Sequence, residues 1–293
     1  MDHPRPSILS GDGLAAFERA LVATVRLDAT VQAAGAGVND ALVARHALLS
    51  CGGDEGTARA LVLGAGLPIA AGRVTEGSLD LFAQLEEAGL SGGLTDAARV
   101  ALDEISGRDL RHTASLLDAA ESAGHLVAAA PASQEFQRAA ALSSALCLHR
   151  GGLVSAPFLS VWQMDAAARS AAVQINRSQS WEEWMRTWCL LLAREADATH
   201  TAVTDTVTRF EGERDSVRAQ ARTGATDEAV LGWLHRNVRF TIRDAAGGLG
   251  LTTPTVGTAV GRLEQAGFAA ELTGQLRDRV WASTALLNLA LTR

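Results

Sequence analysis

Apolar residues recur at intervals of three and four along most of this sequence, and that spacing restricts the chain to a mainly helical fold. The first such segment predicts a helix with one apolar face, made by Leu14, Phe17, Leu21 and Val25. Capping residues or glycines bound further helical segments at 78–89, 95–107 and 111–124. Strand-like composition is confined to two runs, at 238–244 and 277–284. The sequence therefore predicts a mainly α protein.

The segment 178–222 predicts one long helix or two consecutive helices. Ser180 is followed three residues later by Glu183, which is the spacing of a capping box at a helix start. The apolar stripe that follows consists of Trp184, Trp188, Leu191, Leu192 and Ala196. A polar stretch at 222–227 then marks a predicted domain boundary.

The C-terminal segment 240–283 has the pattern of helix, turn, helix and hairpin. Thr252 or Thr253 is the expected cap of the second helix, Pro254 suits its first turn, and Gly267 ends it. The inward-facing side chains of that helix are Val256, Val260 and Leu263. After it, the chain alternates toward Trp281 with a turn at 273–274, as a two-stranded wing would. The segment resembles a winged helix-turn-helix.

Composition excludes several classes of enzyme. All 26 basic residues are arginines, because the sequence contains no lysine, and it contains no tyrosine. A P-loop and a protein kinase both need a lysine for the phosphates, and Schiff-base chemistry needs a lysine amine. The net charge of −7 argues against a protein that coats nucleic acid through a broad basic face.

The sequence also predicts a cytoplasmic protein that does not insert into membranes. No apolar run reaches the ~18 residues of a membrane span, and the first 13 residues lack the apolar region of a signal peptide. The three cysteines are Cys51, Cys147 and Cys189. Their odd number and wide separation indicate reduced thiols and no zinc knuckle.

The region from 150 onward is similar to the second half of the Fic family of nucleotidyl transferases. The family's G-L-L-S-x-P-x-L-Y-L-S stretch and W-x-x-W helix have counterparts at Gly152, Leu153, Ser155, Pro157, Leu159, Ser160, Trp181 and Trp184. A fainter match to the family's inhibitory S-x-x-x-E-G helix falls on Cys51, Glu55 and Gly56. The C-terminal segment looks like the winged helix that often follows a Fic domain. The resemblance implies an N-terminal helical region at 1–75, a Fic-like helical domain at 76–222 and a winged helix at 226–293.

The Fic active loop, H-P-F-x-D-G-N-G-R-x-x-R, is almost entirely replaced. Its counterpart is APASQEFQRAAA at 130–141, just before a helix predicted to begin near Gln134. Ala130 takes the place of the catalytic histidine, and Gln134 replaces the acid that would hold magnesium. Glu135 to Gln137 replace Gly-Asn-Gly, and Ala141 replaces the second arginine. Losing a general base costs ~10²–10⁴ in rate, so we expect no nucleotidyl transfer, no bound cofactor and no metal.

An emptied cleft in such a domain would suit an apolar organic ligand. The candidate lining residues are Gln134, Glu135, Phe136, Arg138, Trp162, Met164 and Glu55. The tryptophan cluster of Trp162, Trp181, Trp184 and Trp188 is expected to be core rather than a ligand box. The sequence favours a small-molecule-binding or regulatory protein. The alternatives are an enzyme that reuses the cleft for another small-molecule reaction, an atypical AMP-transferase, and a winged-helix transcriptional regulator.

The winged-helix segment predicts weak, salt-sensitive DNA binding. From position 227 onward there are seven arginines and six acids, 7 − 6 = +1, so the segment is nearly neutral. The candidate DNA contacts are Arg262, Arg277 and Arg279. The segment is instead expected to pack on the helical domain, or on a second chain in a homodimer, through Val256, Val260, Leu263, Trp281, Leu286 and Leu287.

Helical spacing also brings acids and histidines together in Asp109/His112, Asp197/His200 and Glu121/His125. Pairs of this kind build di-metal sites in helical bundles. No further inward glutamate is evident, so the sequence predicts no metal centre.

Overall fold

The computed structural model describes residues 11–50, 99–100, 103, 105, 113–178, 181–219, 224–274 and 278–291. These residues are mainly helical, as predicted, and include a small three-stranded antiparallel sheet. Among them, no helix has the length and apolar character to cross a bilayer. The prediction at 78–89, most of the prediction at 95–107, the capping residue Ser180 and the inhibitory-helix match around Glu55 lie outside the described residues. The described residues within 95–107, at 99–100, 103 and 105, are helical.

The described elements follow one another along the chain as follows. The helices are α1 (Gly11–Ala34), α2 (Ala36–Ser50), α3 (Thr113–Ala129), α4 (Gln134–Arg150), α5 (Ala166–Ser178), α6 (Glu182–Ala219), α7 (Ala225–Arg236), α8 (Ile242–Leu249), α9 (Thr253–Gln265) and α10 (Thr284–Leu291). The strands are β1 (Arg239–Thr241), β2 (Ala269–Glu271) and β3 (Val280–Ser283).

The described residues divide into two compact units. The first contains most of α1 and all of α3, α4 and α5, together with α6 up to 199. The second contains α6 from 200 onward, most of α2, and everything from 224 to 291. Positions 75 and 222 lie outside the described residues, so the domain limits proposed from the sequence stay predictions.

Helix α1 buries a different face from the one its large apolar residues suggested. Leu14 and Val25 are exposed, and Phe17 and Leu21 are half-buried. The buried stripe consists of Ala16, Ala20, Ala23, Leu27 and Val31. The predicted face was therefore wrong. Alanine has helical spacing here too, and its small side chain lets α1 pack closely on its neighbours, so the buried face need not be the bulky one.

Helix α3 does not end at Gly124, as the sequence suggested, but continues to Ala129. Gly124 instead marks a close approach. A Cβ atom there would lie 2.6 Å from Trp184 Nε1 and 2.8 Å from Trp181 Cζ3. The indole of Trp184 passes over this gap and donates a hydrogen bond to the carbonyl of Ala120, at 2.7 Å. Gly124 is therefore a packing residue, and α3 packs along α4 and α5.

Helix α6 is one continuous helix, which settles the choice left open by the sequence. Its predicted stripe is confirmed, since Trp184, Trp188, Leu192 and Ala196 are fully buried and Leu191 is nearly so. Before α5, the irregular segment 151–165 is also largely buried. The backbone N–H of Ser155 donates to the carboxylate of Asp28 at 2.6 Å, which fixes this segment on α1.

The C-terminal elements run helix, strand, helix, helix and hairpin, which confirms the order predicted for 240–283. Thr252 is the N-cap of α9, with Pro254 in the first turn, and Gly267 follows the helix end with φ +80°. In the sheet, β3 lies between β1 and β2, so β1 adds a third strand to the expected two-stranded wing.

The apolar side chains of this C-terminal region form its own core. Val256, Val260, Leu263 and Trp281 pack together with side chains of α7 and β1. Leu286 is also buried, and Leu287 is half-buried. The expectation that these residues form an assembly surface is therefore wrong for Val256, Val260, Leu263 and Trp281, which pack in the core of the module itself. A module this short needs nearly all of its large apolar side chains for its own core.

Candidate functional sites

The start of α4 and the loop before it are the segment that the sequence comparison above aligned with the Fic active loop. Ser133 is the N-cap, and its hydroxyl accepts from the backbone N–H of Phe136 at 3.4 Å. The backbone N–H of Ser133 donates to Ala130, and the side-chain amide of Gln137 donates to the Pro131 carbonyl. No residue of 130–138 has a positive φ. A phosphate cradle alternates right- and left-handed residues to aim several N–H groups at one anion, so this loop is not such a cradle.

The side chains at this helix start also disfavour phosphate. Glu135 places a carboxylate in the first turn, half-buried, where it opposes a bound anion. Gln134 is exposed. Ala130 has no group that could take a proton from a substrate hydroxyl. Ala141, at the position of the second Fic arginine, is completely buried. The local chemistry is therefore unsuited to nucleotide triphosphates.

Arg138 is the one basic side chain in the first turns of α4. It is half-buried, and its Nε atom is buried without a hydrogen-bond partner. Within the described residues its guanidinium makes no hydrogen bond or ion pair. A buried donor left in this state costs about 1–3 kcal/mol. Arg138 therefore retains the capacity to bind an acceptor such as a carboxylate.

The apolar candidates near α4 differ in accessibility. Phe136 and Met164 are only 7% and 5% exposed, so both belong to the core. Trp162 is half-buried. The Met164 carbonyl accepts a hydrogen bond from Arg169. A ligand that contacts Phe136 or Met164 would have to displace neighbouring side chains, whereas Trp162 presents an accessible edge. Glu55 lies outside the described residues.

Of the predicted acid–histidine pairs, Asp109/His112 lies outside the described residues. In the described part of the chain, no group of three potential metal ligands is suitably placed. The Oε1 atom of Glu121 lies 3.9 Å from Nε2 of His125, and the ring of His125 contacts the ring of Trp181 edge-on. Asp197 pairs with Arg26. Burial raises the pKa of the Cys189 thiol to about 12, which makes it an unreactive core residue.

In the C-terminal module, Arg262 forms a structural ion pair. Its Nε donates to both carboxylate oxygens of Asp227, at 3.1 and 3.2 Å. Its terminal nitrogen Nη2 donates to Oδ1 of the same carboxylate at 2.5 Å. Asp227 lies at the start of α7 and is completely buried. A bidentate pair holds the planar guanidinium in a fixed orientation. Arg262 thus fastens α9 to α7, and its donors are directed inward.

The outer surface of α9 is mostly uncharged. Its exposed residues in the first turns are Thr252, Thr253, Pro254, Thr255 and Thr258. Exposed arginines flank this surface on neighbouring elements, namely Arg236, Arg239 and Arg243. In the hairpin of β2 and β3, a hydrogen bond from the Thr273 hydroxyl and the charge of Arg279 hold the pKa of Glu271 below its usual value. Arg277 lies outside the described residues.

A buried polar network in the second unit escaped the sequence analysis. His235 Nε2 lies 2.8 Å from a carboxylate oxygen of Glu213, and both side chains are buried. Arg209 donates to the other carboxylate oxygen at 3.0 Å, and the ring of Phe210 stacks on His235. The i,i+4 spacing of Arg209 and Glu213 was visible in the sequence. Their partner on α7 is 22 residues further on and gave no signal.

Among known proteins, no family model matches this chain and no curated sequence matches it significantly.

Proposed function

We propose that this chain is a regulatory protein that combines a Fic-like helical domain, which does not transfer nucleotides, with a winged-helix module. The start of α4 carries the proposal. It has a glutamate in the first turn, no residue with positive φ in the preceding loop, and alanine at the position of the catalytic base. The element order and sheet pairing of 225–291 support the winged-helix part.

Calorimetric titration with ATP and Mg²⁺ tests the first part of this proposal. We expect no binding at nucleotide concentrations up to ~1 mM, which corresponds to a binding free energy weaker than about −4 kcal/mol. Arg138→Ala is the matched variant, because Arg138 is the remaining basic group at the site. Micromolar binding by the wild type that is lost in Arg138→Ala would restore the transferase hypothesis.

A small-molecule ligand is a second candidate function, favoured by Arg138. Its buried Nε without a partner would be satisfied by a carboxylate, and the partly exposed Trp162 is the apolar side chain that the sequence proposed for the same ligand. We therefore propose apolar carboxylic acids as the ligand class. A thermal-shift screen with medium-chain fatty acids should raise the Tm of the wild type and leave Arg138→Ala unchanged. Arg194→Ala, at an exposed arginine of α6, is the control that should still respond. An equal response of all three proteins would contradict this candidate.

The module itself is proposed to bind DNA weakly. Arg262 is held by Asp227, so phosphate contacts would come from flanking arginines such as Arg239 and Arg243. Each phosphate contact contributes about −0.9 to the slope of log K against log salt, so this weak binding should weaken further as the salt concentration rises. A mobility-shift assay at ~150 mM salt should detect no specific complex at nanomolar protein. Nanomolar, sequence-selective binding that Arg243→Ala abolishes would make the chain a transcriptional regulator instead.

A further inference from the structure

Helix α1 exposes three large apolar side chains within the first unit. Leu14, Val22 and Val25 are 48%, 65% and 51% exposed, which is unusual for side chains of this size. Their spacing of eight and three residues places them on one side of the helix. The opposite side is the buried alanine stripe that attaches α1 to its own unit. The exposed face therefore has no role in the packing of α1 on the first unit.

The charges on this face are arranged about its centre. Val22 lies midway between Glu18 and Arg26, each four residues away and therefore about 6 Å along the helix axis. All three are exposed. Glu18 makes no hydrogen bond or ion pair within the described residues. Arg26 pairs with Asp197 yet remains 54% exposed, and a guanidinium has five N–H donors, so it can bind a second carboxylate.

The charges on this face of α1 are complementary to those on a second copy of the helix when the two copies run antiparallel. If two copies of α1 pair antiparallel with Val22 at the two-fold axis, each Glu18 lies opposite Arg26 of the other copy. Ala15 then lies opposite Ala29, and both are small and exposed, so the helices can approach closely. Parallel pairing would place Glu18 against Glu18 and Arg26 against Arg26. Charge therefore selects the antiparallel arrangement.

We propose that the exposed face of α1, centred on Val22, binds a second copy of this chain across a two-fold axis. Such an isologous contact uses the same patch on both partners, as the symmetric charge pattern requires. One helix pair buries less surface than the ~800 Å² per partner of a standard interface. The dimer should therefore form in the micromolar range and dissociate on dilution. This inference does not depend on the proposed function.

Sedimentation of the full chain from ~1 to ~100 µM tests the contact through a charge swap. Glu18→Arg places two like-charged pairs in the dimer, and so does Arg26→Glu. Each variant alone should dimerise at least about tenfold more weakly than the wild type. Mixed in equal amounts, the two variants have opposite charges at both positions, so the mixture should form a heterodimer. Arg194→Glu, at an exposed arginine of α6, should sediment like the wild type.

Two results would overturn the proposal. A wild type that stays monomeric at ~100 µM would show that another part of the chain, or a different protein, covers this face. A dimer that persists unchanged in Glu18→Arg would place the interface elsewhere. Because Arg26→Glu also removes the Asp197 pair, circular dichroism should confirm that each variant is folded. Val22→Asp supplies an independent test, since it should dissociate the dimer without touching either charge.

Discussion

The start of α4 and the C-terminal module each contain an arginine that the sequence marked as a candidate contact, and the two arginines have opposite surroundings. Arg262 is bound through two nitrogens to a fully buried aspartate. Arg138 has a buried Nε without a partner. A candidate arginine is therefore a structural or a binding residue according to whether a buried acid lies within reach. Of these two arginines, Arg138 is the one that keeps its donors for another molecule.

The two regions also differ in what holds them together. Local hydrogen bonds define the C-terminal module, where Thr241 and Asp244 form a reciprocal capping box and Thr252 caps α9. The helical unit depends on shape, because Gly124 admits two tryptophans and alanines line the buried face of α1. Substitutions that remove a polar partner should therefore lower the stability of the module most. Substitutions that add a single carbon at a close contact should lower the stability of the helical unit most.

Arg262→Ala should have the largest effect, lowering the free energy of unfolding by about 3 kcal/mol. The change leaves the carboxylate of Asp227 buried without its partner, and removal of one member of a buried pair costs about 3–5 kcal/mol. The exposed position of Arg262 lets water reach the site and reduces the loss. Urea denaturation followed by circular dichroism measures the effect.

Arg236→Ala is the control for this substitution, because Arg236 is an exposed arginine of the same module. It should change stability by less than about 0.5 kcal/mol. Equal effects of the two substitutions would contradict the structural role assigned to Arg262.

Gly124→Ala should destabilise the helical unit by about 1–3 kcal/mol. Its new Cβ would lie closer to both indoles than carbon atoms can approach, so the tryptophans must move. The control is Gly212→Ala on α6, where a Cβ meets nothing within 4 Å. That substitution should raise stability by about 0.5–1 kcal/mol through helix propensity alone. Tm measurements on the two variants should therefore shift in opposite directions, and a rise for both would refute the close approach at Gly124.

The C-terminal module was easier to predict from the sequence than the helical unit, because local hydrogen bonds define the module whereas packing defines the helical unit. The capping threonine, Pro254 and Gly267 are local signals, so the sequence located α9 and its ends. Gly124 and the alanine face of α1 depend on what packs against them, and a single sequence does not contain that information. The candidate site shows the same limit. The sequence identified Arg138 and Arg262, but the structural role of Arg262 depends on Asp227, 35 residues away in the chain.

Trp184→Phe should cost about 1 kcal/mol more than Trp188→Phe. Both tryptophans are fully buried on α6, so the two substitutions leave similar cavities. Trp184 loses its hydrogen bond to the Ala120 carbonyl, whereas the indole N–H of Trp188 has no partner to lose. Denaturation of both variants under the same conditions isolates this one hydrogen bond. Equal losses of stability in the two variants would mean that the hydrogen bond of Trp184 contributes nothing and that packing alone stabilises this part of the helical unit.

Asp244→Asn should have the smallest effect, about 0.5 kcal/mol at neutral pH, and that effect should disappear in acid. Hydrogen bonds from the backbone and hydroxyl of Thr241 hold the pKa of Asp244 below its usual 3.8. A lowered pKa in the folded state means that the ionised carboxylate stabilises the fold above about pH 4. That contribution is lost as the pH falls through the lowered value. Asparagine keeps an oxygen that can accept the same bonds, so the substitution removes mainly the charge at the helix start. Unfolding of the wild type and the variant between pH 7 and pH 2 should therefore give curves that differ at neutral pH and meet at the acid end. Curves that stay parallel throughout would assign the stability of this cap to hydrogen bonding without a contribution from charge.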